Sequence, residues 1–345
     1  MTPILLDRTK INDARWDQLI SSSKQCVLYA HTFYLDIVCG GWQALVWPDQ
    51  SSYQIVMPLP VRIKWGKSIV FQPLFCQYLG LFSMDSLTEA DFLAFTRSLS
   101  NHFSYISCYH FNPENFNTLS KIKDQLAEFT FVTYHTHWLS LDKPYRQIGA
   151  SYSADRRVNV SRSKKEGWAF ELSIEVETLI ELFEANHSEL IAGGVNQNAY
   201  GMLKKLFVAA ESTGIAELWY AKKENVIHSG ILLVRYAGRV IYLFNASDPV
   251  GRKGNARSGM LDMYFLQHAG EAFIFDFESP EVDQISGFYK SFGSQAIPYL
   301  KVSKNRLWFP FRQIQHWRVS YFLKPNQVFA QALIRFKVHF KRADF

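Results

Sequence analysis

Segments typical of β-strands alternate with segments typical of helices along the whole chain, and this alternation limits the possible folds more than any other feature. Each half runs in the order helix, strands, helix, strand, helix, strand, although the halves share negligible sequence identity. Strands interleaved with helices favour a mixed sheet with helices on its faces, and 345 residues are enough for two such domains. The sequence therefore predicts an α/β (α+β, mixed-sheet) protein with domains over residues 1–144 and 145–305 and a basic extension over residues 306–345.

Local patterns predict where several elements begin. In the first half, residues 27–34 are expected to form a strand. Ser86 is expected to cap a helix over residues 87–99, with Glu89 completing a capping box. In the second half, a basic helix is expected over residues 153–167.

The composition excludes several classes of protein. Hydrophobic residues make up 48% of the chain and charged residues 20%, so a sizeable core is expected and long disorder is not. No signal-peptide pattern and no run of eighteen apolar residues is present, which predicts a cytoplasmic protein and leaves peripheral contact with the inner face of a membrane open. Four cysteines form no CxxC pair and are expected to be reduced and structural: Cys26, Cys39, Cys76 and Cys108.

The net charge of +6 comes entirely from the end of the chain. Residues 311–345 contain one acidic residue, Asp344, and seven basic residues: Arg312, Arg318, Lys324, Arg335, Lys337, Lys341 and Arg342. Residues 1–310 are therefore formally neutral. Apolar residues recur at helical spacing over residues 327–340, and a basic amphipathic helix indicates a membrane surface or an acidic partner. Packing of this segment onto the rest of the protein is the alternative.

A glycine-rich basic stretch separates an apolar strand over residues 240–245 from a helix expected over residues 259–270. The stretch is expected to be a loop, and its second part reads Gly251, Arg252, Lys253, Gly254, Asn255, Ala256, Arg257, Ser258 and Gly259. Glycines let a ligand approach the backbone, and the first turn of a helix offers unpaired N–H groups and a positive dipole end. Such a loop is suited to a pyrophosphate. A solvated basic turn before a surface helix is the alternative.

Other patterns in the sequence give weaker evidence for a functional site. His135 and His137 would point to the same side of a strand, but two imidazoles without further ligands make a poor metal site, and no metal is expected. No GxSxG, Walker-type GxxxxGK[ST] or HExxH motif occurs. The predicted helix over residues 153–167 carries five cations, which form either a solvated face or a contact with an anionic substrate or tRNA.

Three segments resemble the GNAT acyltransferase fold, and more closely its Fem-type branch and the acetyltransferase domains of bacterial envelope and polysaccharide gene sets. They are the arginine-rich residues 156–167, the glycine-rich residues 251–259, and residues 288–293, which read Phe-Tyr-Lys-Ser-Phe-Gly. The resemblance covers residues 146–304. It implies tandem GNAT-like domains in which the N-terminal copy is degenerate and the C-terminal copy is catalytic.

The resemblance also implies an activity. An acyl group from acyl-CoA, or an aminoacyl group from tRNA, would be transferred to an amine acceptor such as a cell-envelope or polysaccharide precursor, with no permanently bound cofactor. Fem-type enzymes that use tRNA often carry a long helical arm, and residues 190–199 are too short for one, so acyl-CoA is preferred. The alternative function is a non-catalytic GNAT-fold protein that binds an anionic nucleotide-like or lipid-linked ligand.

Site residues follow from the resemblance. The glycine-rich stretch would bind the donor together with backbone groups of Phe244, Asn245 and Ala246, which would hold the acyl carbonyl. Tyr289 matches the position of the acid, with core packing beside Phe288 and Phe292 as its alternative. The resemblance assigns no base. From their positions in the sequence, Asp276 and Glu278 would share a strand face, and either could accept a proton. Glu278 could instead pair with Lys290 or Arg257, and His228 is a weaker candidate. The substrate is assigned to Arg156, Arg157, Arg162 and Tyr242.

Overall fold

A computed structural model describes residues 1–64, 66–187, 197–279 and 283–307, and Gln313. Contacts within the chain divide the described residues into two compact units, one of residues 1–134 with 298–307 and the other of residues 135–297. The chain thus passes between units inside two strands, after Tyr134 and after Ile297. The division into domains over residues 1–144, 145–305 and 306–345 followed turns and charge, and it stays a prediction.

The described part of the first 140 residues forms seven strands and four α-helices. In chain order these are β1 Ile4–Asp7, α1 Asp13–Ser22, α2 Thr32–Val38, β2 Trp42–Asp49, β3 Ser52–Lys64, β4 Lys67–Val70, β5 Phe82–Ser83, α3 Glu89–His102, β6 Tyr105–His110, α4 Phe116–Ile122 and β7 Thr130–Ser140.

The described residues after Ser140 form a further six strands and seven α-helices. These are α5 Tyr145–Ala150, α6 Ala154–Lys165, β8 Ala169–Ser173, α7 Val176–His187, α8 Gln197–Ser212, β9 Ala216–Lys223, β10 Val226–Tyr236, β11 Arg239–Ser247, α9 Pro249–Lys253, α10 Ala256–Gln267, β12 Ile274–Asp276, α11 Asp283–Lys290 and β13 Gln295–Asn305. Among the described residues, no helix is long and apolar enough to cross a membrane.

The first unit contains a sheet with the strand order β1-β2-β3-β4-β6-β13, and β5 pairs with β3. β4 and β6 run parallel, whereas the other neighbours are antiparallel. Large aromatic side chains fill its core, and the buried rings of Trp16 and Trp42 lie 5.2 Å apart.

Two local predictions for this unit are wrong. Residues 27–34 form a 3₁₀ turn and the start of α2 instead of a strand, because Asp17 accepts hydrogen bonds from the backbone N–H and the hydroxyl of Thr32 at 2.9 and 2.7 Å. The capping box before α3 is made by Thr88 and Asp91, not by Ser86 and Glu89. Ser86 accepts a hydrogen bond from Lys24 instead.

The second unit contains a sheet with the strand order β7-β12-β11-β10-β9-β8. Only the β11–β12 pair is parallel. On one face, α5, α6, α10 and α11 contribute to a buried cluster that includes Met260, Phe265, Phe275, Phe277 and Phe292. The other face packs against α7, because Phe183 of that helix contacts Phe244 of β11 at 4.8 Å. The prediction of an α/β fold with a mixed sheet is confirmed.

Candidate active site

A β-bulge in β11 changes which face of the sheet its later side chains point to. Leu232 of β10 pairs with Phe244, but the next residue, Leu233, pairs with Tyr242, so Leu243 is an extra residue on β11. In a regular strand residues three apart point to opposite faces, and one inserted residue places them on the same face. Tyr242 and Asn245 therefore both lie on the face covered by α10 and α11, where Tyr242 contacts Phe275 and Asn245 meets Arg257.

The bulge coincides with the point at which β11 loses a neighbour. β12 pairs with β11 only at Arg239, Val240 and Ile241. From Tyr242 onward, no strand in the described part of the chain pairs with that edge of β11. Backbone groups of Leu243–Ala246 on this edge are thus in a position to hydrogen-bond a ligand.

The glycine-rich stretch is more regular than predicted. Residues 249–253 are α9, and α10 begins at Ala256, so the expected loop to Ser258 and the helix start at Gly259 are wrong. Pro249 at the first turn of α9 is compatible with a helix start, and the Asp248 side chain caps it by accepting from the N–H of Gly251 at 2.7 Å.

The space beside each of the three glycines of this stretch is filled by other residues of the chain. A Cβ on Gly251 would lie 2.3 Å from the carbonyl oxygen of His228, and one on Gly254 would lie 2.4 Å from Cζ2 of Trp168. A Cβ on Gly259 would lie 2.2 Å from the hydroxyl of Ser163. These glycines therefore permit close packing of α9 and α10 against β10, α6 and the Trp168 ring, whether or not a ligand is also bound nearby.

The N-terminus of α10 is the part of the stretch best suited to an anion. Its N-cap, Asn255, has left-handed backbone angles (φ 54°) and makes no capping hydrogen bond with its side chain. The first N–H groups of α10 thus lack the side-chain acceptor that Asp248 supplies to α9. Arg252 and Lys253 are exposed just before this terminus, and Arg252 donates to the carbonyl oxygen of Ser247.

Two arginines share one aromatic ring beside the bulge. The guanidinium carbons of Arg156 and Arg257 lie 4.1 and 4.2 Å from the ring centre of Phe288. Arg257 donates to Oδ1 of Asn245 at 2.8 Å, and Arg156 donates to Ser291 and Ser258.

The charges of these arginines are not neutralised within the described part of the chain, where neither forms an ion pair with a carboxylate. Burial, and then the neighbouring charge of Arg257, lower the pKa of Arg156 to about 10. Two adjacent cations without a carboxylate favour a bound anion. The other arginines assigned to the substrate, Arg157 and Arg162, are exposed on α6, and Arg157 donates to the carbonyl oxygen of Tyr152.

Tyr289 and Tyr242 lie next to each other in the same cluster, with ring centres 6.1 Å apart. Tyr289 is buried and stacks on Phe277 at 4.7 Å. Burial raises the pKa of Tyr289 to about 12, although the charge of Arg257 opposes the rise. Burial also raises the pKa of Tyr242, and its hydroxyl makes no hydrogen bond among the described residues.

His137 is a candidate that the sequence reasoning did not assign to the site. Its ring is 2% exposed and lies 6.5 Å from the ring of Tyr289. Neither ring nitrogen has a hydrogen-bond partner among the described residues. Burial, aided by the charge of Lys290, lowers the pKa of His137 to about 4, so the ring is neutral at pH 7. A neutral imidazole carries one donor and one acceptor for a ligand.

The acidic candidates do not share a strand face. β12 ends at Asp276, and Glu278 has left-handed backbone angles (φ 48°). Asp276 is fully buried and accepts hydrogen bonds from the hydroxyl of Thr136 at 2.6 Å and from the N–H of Glu278 at 3.0 Å. Asp276 therefore holds the turn that follows β12, while its assignment as a base stays a prediction.

His228 is held by a carboxylate. Its Nδ1 lies 2.7 Å from Oδ2 of Asp248, and its ring meets that of Trp168 at 5.7 Å. The remaining nitrogen is thereby oriented, as in histidines that act as bases. Among the described residues, no three His, Cys, Asp or Glu side chains are grouped to hold a metal ion.

Comparison with solved structures identifies the fold. FemX superimposes with a TM-score of 0.62 at 15% identity over 88% of this chain and 98% of FemX. The chain has a FemX-like fold. A conserved protein of unknown function from Bacteroides thetaiotaomicron is also similar, with a TM-score of 0.55 at 10% identity over 88% of this chain and 100% of that protein.

A GCN5-related N-acetyltransferase from Kribbella flavida is more distant, with a TM-score of 0.39 at 11% identity over 74% of this chain and 88% of that chain. No protein-family model matches the chain, and no curated protein matches it in sequence. The FemX-like fold agrees with the resemblance to Fem-type GNAT proteins, whereas the tandem arrangement of two GNAT-like domains stays a prediction.

Proposed function

We propose that the protein is an acyltransferase that moves an acyl or aminoacyl group onto an amine. The observation that carries the proposal is the bulge at Leu243, where β11 also loses its β12 partner. Backbone N–H groups on an unpaired strand edge are suited to stabilise the oxyanion that develops during acyl transfer. The FemX-like fold and the adjacent cluster of Arg257, Tyr242, Tyr289 and His137 support this assignment.

The donor we propose is acyl-CoA, with aminoacyl-tRNA as the second choice. The uncapped N-terminus of α10 would bind the pyrophosphate, and Arg252 and Lys253 would add charge. The glycines support this site indirectly, since they let α9 and α10 pack closely against β10, Trp168 and α6. Arg257 in the first turn of α10 then reaches Asn245 of β11. Neither donor is a resident cofactor, because each is consumed in the reaction.

The reaction needs one proton acceptor and one proton donor. The neutral amine attacks the carbonyl carbon, forms the new C–N bond and loses a proton, which we assign to His137. The bond to the leaving sulfur (or to the tRNA ester oxygen) then breaks, and Tyr289 supplies the proton that this group needs. The proton taken up by His137 passes to the Tyr289 phenolate, which returns both side chains to their neutral forms. His137 is a weak base in the empty site, and an oxyanion formed beside it would raise its basicity.

The acceptor we propose carries a negative charge. Arg156 and Arg257 flank Phe288, and in the described part of the chain no carboxylate pairs with them. A phosphate or carboxylate on the acceptor would offset both charges. A nucleotide-linked precursor with a free amine, such as those of cell-envelope or polysaccharide assembly, has both required groups.

Donor binding is tested by calorimetry with CoA, acetyl-CoA, longer acyl-CoAs and charged tRNA. The double change Arg252→Ala and Lys253→Ala should weaken CoA binding about tenfold or more, since each lost phosphate contact removes a charge-assisted hydrogen bond. Lys121→Ala with Lys205→Ala removes two exposed cations elsewhere and should leave the affinity unchanged. Equal binding by both double variants would exclude this phosphate site.

Turnover is tested by release of free CoA in the presence of a panel of amines, including nucleotide-linked amino sugars. His137→Ala should reduce the rate about 100-fold, and His135→Ala, two residues earlier and less buried, should stay within about twofold. Donor binding by the unaltered protein without transfer to any amine would favour the alternative, a binding protein for an anionic nucleotide-like or lipid-linked ligand.

A further inference from the structure

A thiol and an imidazole lie together on β6, in the unit that does not contain the proposed acyl-transfer site. Sγ of Cys108 is 3.0 Å from Nε2 of His110. Cys108 is half-buried, whereas the ring of His110 is 3% exposed. The thiol can therefore meet a small reagent, while the imidazole behind it is shielded from solvent.

The hydrogen bonds of His110 determine which ring nitrogen carries the proton of the neutral imidazole. Its Nδ1 lies 2.8 Å from the backbone carbonyl oxygen of Gln77, which can only accept, so Nδ1 carries the hydrogen of the neutral ring. Nε2 is then an acceptor and faces the S–H of Cys108. The backbone N–H of His110 is also fixed, since it donates to Oε1 of Gln72 at 2.9 Å.

The surroundings hold this arrangement and add a positive charge. The rings of Tyr134 and Tyr299 lie 5.7 and 5.5 Å from the His110 ring. Lys301 is the partner of His110 in the β6–β13 ladder, and its ammonium group donates to the hydroxyl of Tyr134 at 3.1 Å. Cys39 differs, because its thiol donates to the backbone carbonyl of Gly41, a group that cannot take up the proton.

We propose that Cys108 and His110 form a nucleophilic pair that accepts an acyl group from a thioester. His110 Nε2 takes the proton of Cys108, and the thiolate attacks the carbonyl carbon. A bond forms between Sγ and that carbon, the bond to the donor sulfur breaks, and the departing thiolate takes the proton back from His110. The choice of a thioester rests on the proposed function, whereas the reactivity of the thiol does not.

Reactivity is measured by alkylation of the unaltered full-length chain with iodoacetamide between pH 6 and pH 9, followed by peptide mass spectrometry. Cys108 should react about tenfold faster than Cys26, which is also half-buried, at the lower end of this range. His110→Gln should slow Cys108 and move its pH profile upward, with Cys26 unchanged. If Cys108 reacts no faster than Cys26 in the unaltered chain, the pair is not a nucleophile, and that result requires no variant to fold.

The acyl class is tested with S-acetyl-N-acetylcysteamine, a thioester without the phosphates of CoA. The chain should gain one acetyl group on Cys108 that hydroxylamine removes, and Cys108→Ala should not gain it. Because this probe needs no phosphate site, acetylation would occur even if the donor assignment at α10 failed. Fast alkylation without acetylation would overturn the thioester class.

Discussion

At the scale of single residues, the buried ring of His137 makes the stability of the fold depend on pH. Its pKa is lowered to about 4 by burial, against about 6.5 in an unfolded chain. Between these values the unfolded chain binds more protons, so this contribution to stability is complete above pH 6.5 and is lost as the pH falls toward 4.

We therefore expect the free energy of unfolding to fall by about 2–3 kcal/mol from pH 7 to pH 4 through this ring. Urea unfolding at the two values measures it. His137→Leu should remove that part of the dependence, and His135→Leu should retain it. An equally steep dependence in His137→Leu would show that other groups cause it.

The role of the Tyr289 hydroxyl can be tested by a substitution that leaves the packing of the ring intact. Tyr289→Phe keeps the ring that stacks on Phe277 and removes only the hydroxyl. If that hydroxyl protonates the leaving group, turnover should fall about 100-fold with donor affinity unchanged. Tyr264→Phe is the control, because its hydroxyl is buried in the same core without a hydrogen bond among the described residues. Unchanged turnover in Tyr289→Phe would remove this residue from the mechanism.

Sequence reasoning could select Arg257, Asn245 and Tyr289, since they lie in segments whose glycine, charge and aromatic patterns stand out. The sequence could not indicate that His137 lies beside these residues. The alternation over β7 places this histidine on a strand face, but its contact with Tyr289 and its unpaired nitrogens depend on how α11 packs, about 150 residues later. The two histidines at positions 135 and 137, on one face of the predicted strand, were the available signal.

At the scale of elements, the glycines at the start of α10 act through packing. Gly254→Ala would place a methyl group 2.4 Å from the ring of Trp168, and overpacking of this kind costs about 1–3 kcal/mol. Gly201→Ala is the matched control, since no atom lies within 4 Å of the added group. Urea unfolding of both variants measures the difference.

The same substitution in a Trp168→Leu background separates packing from ligand binding. The smaller side chain leaves room for the methyl group, so the cost of Gly254→Ala should shrink by about 1 kcal/mol or more in a double-mutant cycle. A Gly254→Ala variant with an unchanged free energy of unfolding that no longer binds CoA would contradict a packing role. It would show instead that Gly254 makes room for the ligand.

Long periodic elements were predictable, and irregular ones were not. The three strands β9, β10 and β11 and the helix α8 lie where alternation and helical spacing put them. Residues 27–34 mislead because a run of apolar, aromatic and β-branched residues suits a strand or a fully buried helix equally, and the hydrogen bonds of Asp17 decide for α2. The bulge at Leu243 lies in an unbroken apolar run, which carries no alternation that an extra residue could interrupt.

At the scale of the whole molecule, the excess positive charge and the proposed active site lie in different parts of the chain. Residues 1–310 carry no net charge, so Arg156, Arg257, Arg252 and Lys253 are local features of a neutral protein. A neutral surface gives little long-range attraction for an anionic donor, and such local cations must then supply the affinity. The excess of six charges lies in residues 311–345, which are outside the described residues apart from Gln313.

That excess leads to a prediction about membranes. Deletion of all residues after Leu323 removes five cations and one anion, a net loss of four positive charges. A basic segment near an anionic surface gains about 1 kcal/mol per cation, so partitioning onto phosphatidylserine vesicles should fall more than tenfold in about 0.1 M salt. Phosphatidylcholine vesicles are the control, since the full-length and shortened chains should bind them equally weakly.

Salt separates this electrostatic attraction from apolar insertion. The Debye length falls from about 10 Å at 0.1 M to about 3 Å at 1 M, so the advantage of the full-length chain should largely disappear at the higher concentration. An advantage that persisted in 1 M salt would point to the apolar residues of positions 327–340 as the anchor. Equal partitioning of both chains at low salt would exclude a membrane role for the segment and favour its packing onto the rest of the protein.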